Sequence, residues 1–265
     1  MAFLLLFHIE RSDELELNKI YNEDCLEGMK RIPDGSVDMI LCDLPYGTTR
    51  NNWDSVIPLD LLWEQYNRII KYNGAIVLTA QTPFDKILGV SNLKNLRYEW
   101  VWEKNKATGH LNAKKMPLKA HENILVFYKK LPTYNPQGLI KKENPTINKG
   151  SRGAKVNGAG GTNYGKSNKD SLQTHSGYPR DVFSFGVDMR PIHPTQKPVP
   201  LFEYLIKTYT NEGELVLDNC MGSGTTAIAC LNNNRNFIGF ELDKGYFDIA
   251  NERISKHKRD MVKDN

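Results

Sequence analysis

The 265-residue chain predicts an α/β fold built on a doubly wound, mostly parallel sheet. Two observations carry that reading. Seven short apolar, β-branched runs recur along the chain: "NKIYNED", "VDMILCD", "GAIVLTA", "YEWVWEK", "NILVFYK", "ELVLDNC" and "NFIGFEL". Most are separated by segments of helical period, and strands apolar along their whole length belong to sheets covered on both faces. Composition sets the scale: 40% hydrophobic and 25% charged residues are ordinary for a globular chain. The length suffices for one large core, or for a core with an inserted lobe.

The elements follow in order. "MAFLLLFHIERSDE" is too short an apolar run to span a bilayer. It also lacks the basic leader and small-residue cleavage site of a signal peptide. Residues 1–17 therefore read as an N-terminal extension, membrane association is not expected, and the cytoplasm is the default location. The first half, 18–128, opens with "NKIYNED" and "VDMILCD". A helix is expected over Leu59–Lys71, where Leu61, Leu62, Tyr66, Ile69 and Ile70 recur at helical spacing. Between "YEWVWEK" and "NILVFYK" no obvious helix intervenes, so part of the sheet is expected to be antiparallel. Trp100 and Trp102 fall on alternate positions of the first of these strands.

Residues 129–190 break the pattern. They hold eight Lys and three Arg against one Glu and three Asp, a net +7 in a chain whose total is +4. Six glycines fall between Gly150 and Gly165, and aliphatic residues are scarce there. Composition fits a solvated loop. It equally fits an arm that neutralises phosphates, with Lys149, Arg152, Lys155, Lys166 and Arg180 as the cations and Tyr164 and Tyr178 as aromatic contacts. The last segment, 191–265, carries two more strands and ends in a charged helix. Four scattered cysteines without a CxxC pair fit a reducing compartment and no zinc site. His121-Glu122 has no ligand partners at helical spacing, so no metal is expected.

Two stretches carry chemistry. "ELVLDNCMGSGTTAIACL" reads as strand, glycine turn and helix, with Gly222 and Gly224 letting a ligand approach the main chain. No Lys follows the glycines, which excludes a phosphate-binding P-loop. Two ligands fit. "GSGTTA" satisfies G-x-G-x-x-A, and Glu241 lies nineteen positions after Gly222, suiting an acid on the ribose of a nicotinamide cofactor. Asp218 at the strand end suits S-adenosylmethionine, whose methionine end carries a cation beside its carboxylate. In either case Glu241 accepts from ribose hydroxyls.

The second stretch, "DLPYGTT", places Asp43, Leu44, Pro45 and Tyr46 directly behind an apolar strand. Asp and Pro are common turn residues, yet this set also suits methyl transfer to the exocyclic amine of a base. Such an amine is a poor nucleophile because its lone pair is delocalised into the ring. A carboxylate and a backbone carbonyl accepting its two hydrogens localise that pair and stabilise the developing charge. The proline fixes a carbonyl direction, and a tyrosine face holds a base flipped out of a duplex.

With these residues in view, the chain resembles the β group of DNA amino-methyltransferases. "DLPY" is similar to their D-P-P-Y motif and "DNCMGSGTT" to D-P-F-x-G-S-G-T-T. "YNEDCLEGMKRIPDGSVDMILCDLPYGTT" resembles the entry segment of DNA adenine-N6 methyltransferases. "HPTQKP" (His193–Pro198) and "GFELDKGY" (Gly239–Tyr246) resemble the segments flanking the cofactor turn. The resemblance covers about Asn18 to Ile254, in that family's circularly permuted order: catalytic motif, basic variable region, cofactor turn.

It implies a seven-stranded, Rossmann-like class I methyltransferase fold. The implied activity is transfer of a methyl from S-adenosylmethionine to adenine N6 at a specific site in double-stranded DNA. Asp43, Leu44, Pro45 and Tyr46 would hold the target base. Asp24 and Cys25 would lie at the cofactor's adenine, and Asp218, Gly222, Gly224 and Thr225 at its methionine end, with Lys197 on the carboxylate. Glu241 would take the ribose, and 129–190 would read the target sequence. A second copy of the chain and a cognate restriction endonuclease are the further partners implied. N4-cytosine transfer, whose motif usually begins with Ser, is the nearest alternative. A catalytically silent DNA-binding protein of the same fold is another, and a nicotinamide oxidoreductase is more distant. Leu44 departs from the family's first proline, and Asn219-Cys220 from its Pro-Phe. Trp53 is either a flap over the site or a core anchor, and His193 reads as structural.

Overall fold

The computed structural model describes residues 15–47, 55–148, 170–187, 192 and 196–263. Trp53, Tyr164, His193 and four of the anticipated phosphate contacts (Lys149, Arg152, Lys155 and Lys166) lie outside them, as does most of the N-terminal extension.

All seven apolar runs form strands, and three more join them. In chain order they are β1 (Lys19–Tyr21), β2 (Val37–Asp43), β3 (Ile70–Ala80), β4 (Leu96–Thr108), β5 (Lys119–Phe127), β6 (Ile140–Asn148), β7 (Ser171–Ser176), β8 (Val182–Phe185), β9 (Leu215–Asp218) and β10 (Asn236–Phe240). The helices are α1 (Cys25–Met29), α2 (Leu59–Ile69), α3 (Phe84–Ser91), α4 (Val199–Tyr209), α5 (Thr225–Asn232) and α6 (Lys244–Lys263).

The main sheet runs β1-β10-β9-β2-β3-β5-β4-β8. It is parallel from β1 to β3, and β5 is antiparallel to both β3 and β4. The antiparallel pairing follows from the short link that sequence suggested. The sheet has eight strands among the described residues, one beyond the seven expected. The addition is β8, which pairs in parallel with β4 from Val101↔Val182 onward. Helix α2 also stops earlier than its periodicity suggested: Ile70 turns extended, at φ −70° and ψ 137°, and begins β3 opposite Val37.

Each central strand feeds two cores because its side chains alternate between faces. Ile40, Cys42, Ile76, Leu78, Leu125 and Phe127 pack on one face beneath Met29, Leu62, Trp63, Tyr66, Phe84 and Leu88 from α1–α3. Met39, Leu41, Val77, Ile124 and Val126 pack on the other beneath Leu201, Phe202, Leu205, Ala227, Ala229 and Ile254 from α4–α6. The doubly wound arrangement is thus three helices on each face. Among the described residues, no helix is long and apolar enough to cross a membrane.

Residues Pro136–Arg180 form a second compact unit, with β6 and β7 as an antiparallel hairpin. It is narrower than the 129–190 insertion read from composition, since β8 belongs to the main sheet and Asn135 N–H donates to the Thr208 carbonyl at 2.8 Å. Within that unit Tyr178 and Arg180 are exposed.

Close packing of α1 on β10 depends on Gly28, where an added Cβ overlaps the Phe240 ring. Gly28→Ala is expected to lower stability by about 1–3 kcal/mol through overpacking, measured as a reduced midpoint in chemical denaturation. An unchanged midpoint would show that the helix shifts freely.

Candidate active site

Strands β2 and β9 lie side by side where the winding reverses, since the chain passes outward from β2 to β3 on one side and from β9 to β10 on the other. A crevice beyond the carboxyl ends of the strands is expected at such a point. Asp43 ends β2 and Asp218 ends β9, so both carboxylates sit at its mouth.

On the β2 side, Asp43 is held from three directions. Its Oδ1 accepts from the Tyr46 hydroxyl at 2.7 Å and from the Thr79 hydroxyl, while Oδ2 accepts from Lys197 Nζ at 2.6 Å. Thr79 is opposite Asp43 in the β2–β3 register, which fixes its reach. Lys197 is 5% exposed and also lies 3.3 Å from Glu122 Oε2, an ion contact. Glu122 Oε1 in turn accepts from Lys104 Nζ and from Gln81 Nε2. Burial would lower the Lys197 pKa, but the Asp43 and Glu122 carboxylates outweigh it and hold the ammonium above its usual range. Burial would raise Glu122, and Lys197 and Lys104 hold it below the usual carboxylate range instead.

Tyr46 is half-buried, and its ring stacks on Phe84 at 5.4 Å and 27°. Lys197 Nζ stands 5.6 Å from the ring centroid. Burial first, and the Asp43 charge second, push the phenol well up, so it is a hydroxyl donor to Asp43. The ring is therefore built into the wall of the site and has less free face than the sequence suggested. Leu44 is buried in the core beneath α2, so packing fixes the backbone where a proline ring would have done so.

On the other side of the crevice, Gly222 (φ 53°) and Gly224 (φ 84°) take left-handed conformations that form the turn into α5. Nothing lies within 4 Å of the position a Gly222 Cβ would take, so the turn faces open space. Asp218 lies beneath it: Oδ1 accepts from Cys220 N–H at 3.0 Å and Oδ2 from the Thr226 hydroxyl. Burial pushes this carboxyl up to about 6. Glu241 Oε2 accepts from Gly222 N–H at 2.7 Å and Oε1 from Asp243 N–H at 2.9 Å, and burial nevertheless raises it to about 7. Thr225 is buried, its hydroxyl 3.3 Å from the Lys197 carbonyl. Asp24 caps α1, with Oδ1 accepting from the Leu26 and Glu27 amides at 2.8 and 3.3 Å. Asn22 Nδ2 bonds the Glu241 carbonyl at 2.8 Å, which brings the Asp24 and Glu241 loops together.

Asn219, in the place of the family's proline, is buried and accepts from the Tyr66 hydroxyl. Its amide lies 3.5 Å from the sulfurs of both Cys25 and Cys220. Cys25 is thus a buried thiol of this polar cluster. Among the described residues all four cysteines are free and no group of His, Cys, Asp or Glu is arranged to hold a metal.

The structure brings both carboxylates and the glycine turn of the sequence reading to one crevice, and it pairs the Lys197 ammonium with Asp43. Sequence reasoning missed Thr79, Phe84, Lys104 and Glu122. Glu122 had a signal: a carboxylate heading the apolar run "NILVF" of an interior strand has to be paired.

The chain matches the DNA methylase family over residues 37–252. It belongs to that family. Its curated relatives include the type II methyltransferase M.BglII of Bacillus subtilis, 30% identical, with 90% of this chain and 69% of the relative covered. DNA adenine methyltransferase YhdJ of Escherichia coli K12 is also 30% identical, with 90% and 83% covered. Among solved structures, the M1.HpyAVI–SAM complex superposes with a TM-score of 0.60 at 25% identity, covering 89% of this chain and 98% of that one. The cytosine-N4-specific PvuII methyltransferase shares the fold at a TM-score of 0.66 and 14% identity, covering 92% of each chain. The cofactor of this DNA methylase is S-adenosylmethionine. The crevice fits it, since an open glycine turn and a carboxylate hydrogen-bonded to that turn line one side.

Removing the cation of the Asp43–Lys197–Glu122 cluster leaves two carboxylates with less compensation. Lys197→Met is expected to cost about 3–5 kcal/mol of stability, the usual size for an uncompensated buried charge. Glu122 then loses the first of the two cations that hold its carboxyl down and should protonate more readily, so the loss of stability should shrink as pH falls through the carboxylate range. An equal loss at all pH values would show that Lys197 does not hold Glu122 in its ionised form.

Proposed function

We propose that this DNA methylase transfers a methyl group to the N6 amine of adenine in double-stranded DNA, with Asp43 as the residue that receives the amine. The observation that carries the reading is the way Asp43 is held. Each carboxylate oxygen offers two lone pairs. Oδ1 uses both, on Tyr46 and Thr79, whereas Oδ2 uses one, on Lys197. Oδ2 thus keeps one acceptor position at a partly exposed carboxylate, as one N–H of a flipped base requires. The backbone carbonyls of Leu44 and Pro45, next in the chain, are assigned to the second N–H. Together they localise the nitrogen lone pair and stabilise the positive charge that grows as the methyl arrives. The proton departs afterwards, so no strong base is needed.

When bound, S-adenosylmethionine supplies an electrophilic sulfonium methyl. The residues in position to hold it are Asp24, Gly222, Gly224, Thr225 and Glu241. Asp218 acts from below, shaping the turn through Cys220 and Thr226. Lys197 holds Asp43 in place.

Adenine is favoured over cytosine by the motif's leading Asp and by the relative named as an adenine methyltransferase. Relatives named as type II methyltransferases support a partner endonuclease of matching specificity. A homodimer, on family resemblance, and a cytoplasmic location, on the four scattered cysteines, complete the reading. In the Pro136–Arg180 unit and its flanks, Lys149, Arg152, Lys155, Lys166 and Arg180 are assigned to the DNA.

Labelled methyl donor and unmethylated host DNA, digested to nucleosides after reaction, should yield label in N6-methyladenine. Label in N4-methylcytosine would reverse the choice of base. Asp43→Ala should reduce transfer by about 10²–10³ or more, the range seen when one preorganised transition-state partner is removed, while cofactor binding stays nearly intact. Full activity in that variant would sink the mechanism.

Glu241 gives a pH test. Its folded pKa of about 7 is raised, so in the free protein it is protonated below that value. An ionised carboxylate accepts from both ribose hydroxyls, and cofactor affinity should therefore increase from pH 6 to pH 8. Glu241→Gln should flatten this rise, leaving only the contribution of Asp218 near 6. The same slope in the variant, read by calorimetry, would remove Glu241 from the ribose site.

A further inference from the structure

The hairpin that links β4 to β5 carries a second set of groups that the site does not use. From Lys104 to His121 the chain holds five Lys and two His and no Asp or Glu. Lys104 is committed to Glu122 in the buried cluster. Lys106, Lys114, Lys115 and Lys119 are exposed, and none forms an ion pair with another described residue.

The sheet register shows where this hairpin points. Asp43, Thr79, Ile124 and Trp100 lie in one row across β2, β3, β5 and β4. Strand β4 runs parallel to β2 and β3, so it leaves that row in the direction of the crevice. The pairing runs to Glu103↔His121 and, after a register shift, resumes at Thr108↔Lys119, five residues along β5 from Ile124. At about 3.3 Å per residue the stem rises roughly 15 Å past the row before the tip begins.

At the tip Gly109, with φ 90°, turns the chain into a single 3₁₀ turn, His110–Asn112. That turn presents Leu111 at 101% exposure, and Met116 is 52% exposed nearby. One solvated leucine is unremarkable alone. Here an apolar tip is flanked by unpaired cations and stands on the rim from which a base has to be received.

We propose that the β4–β5 hairpin is a duplex-engaging arm. Lys106, Lys114, Lys115 and Lys119 neutralise backbone phosphates, and Leu111, with Met116, enters the base stack beside the extruded adenine. The inference rests on the proposed action on a flipped base and adds an element separate from the 129–190 region. Cations without acids complement a polyanion and release its counterions. Apolar wedges of this kind unstack base steps and occupy the gap. A base already unpaired is cheaper to extrude, which makes the wedge testable through the substrate.

The test uses the full-length enzyme and a duplex carrying the motif that the wild type methylates, mapped beforehand. Lys114→Gln with Lys115→Gln should reduce the slope of log affinity against log salt by about 2, near one counterion per lysine. Leu111→Ala should lower kcat/KM on the paired duplex by about tenfold or more, and also the flipping signal of 2-aminopurine at the target position. On the same duplex with the target base mismatched, that variant should recover most of the loss. An unchanged salt slope overturns the phosphate contacts. Equal activity to wild type, or an equal loss on paired and mismatched duplexes, overturns the wedge and leaves a protein-docking or structural tip. Wild-type transfer to the duplex reports separately on the methylase reading, so the arm can fail without it.

Discussion

The constraint on which the site depends is the placement of one ammonium between two carboxylates in a nearly dry wall. A carboxylate that is to accept from a base amine must stay ionised while partly removed from water, and burial opposes that. Lys197 pairs with Asp43, and the Asp43 and Glu122 carboxylates together keep Lys197 charged. Lys104 and Gln81 then satisfy Glu122. The charges alternate along the cluster, so Lys197 and Glu122 are each held in the ionised form by their neighbours. Because β5 runs antiparallel to β3, its start rather than its end reaches the crevice, which brings Glu122 to Asp43. The antiparallel strand is thus part of the chemistry as well as the topology.

The opposite wall solves a different problem. Among the described residues no buried cation pairs with Glu241 or Asp218, and backbone amides and hydroxyls serve them instead. Those dipoles compensate a charge less completely than an ammonium does, so burial keeps both carboxyls raised. The two walls therefore titrate differently within one crevice.

The strands, their faces and both site motifs were legible in the sequence because each depends on local pattern. Unbroken burial from Met39 to Cys42 in "VDMILCD" and the strand-turn-helix of "LDNCMGSGTTA" are encoded within a dozen residues. What was not legible rests on pairings remote in sequence. Lys197 meets Asp43 across 154 positions, and Tyr66 meets Asn219 across 153. Motif position alone aimed Lys197 at a cofactor carboxylate, since nothing near it in the chain announces Asp43 or Glu122. The eighth strand escaped notice because "VFSF" is short and lies next to a glycine-rich, basic stretch. Thr79 is an ordinary strand residue in sequence and gains meaning only from its register with Asp43.

The pairing of β1 with β10 has a consequence for how the protein is made. Strand β1, near the start of the chain, hydrogen-bonds in parallel to a strand ending at Phe240, and the Glu241 amide donates to the Tyr21 carbonyl at 3.0 Å. Chains emerge from the ribosome N-terminus first, over seconds. Asp43 and its strand neighbours β3, β4 and β5 are therefore available long before the wall that carries the glycine turn. Until β9 and β10 arrive, β1 has no partner and the edge of β2 is open. The crevice is complete only when β10 is translated, so a truncated or still-tethered chain carries the carboxylate proposed to receive the base and lacks the wall proposed to hold the methyl donor.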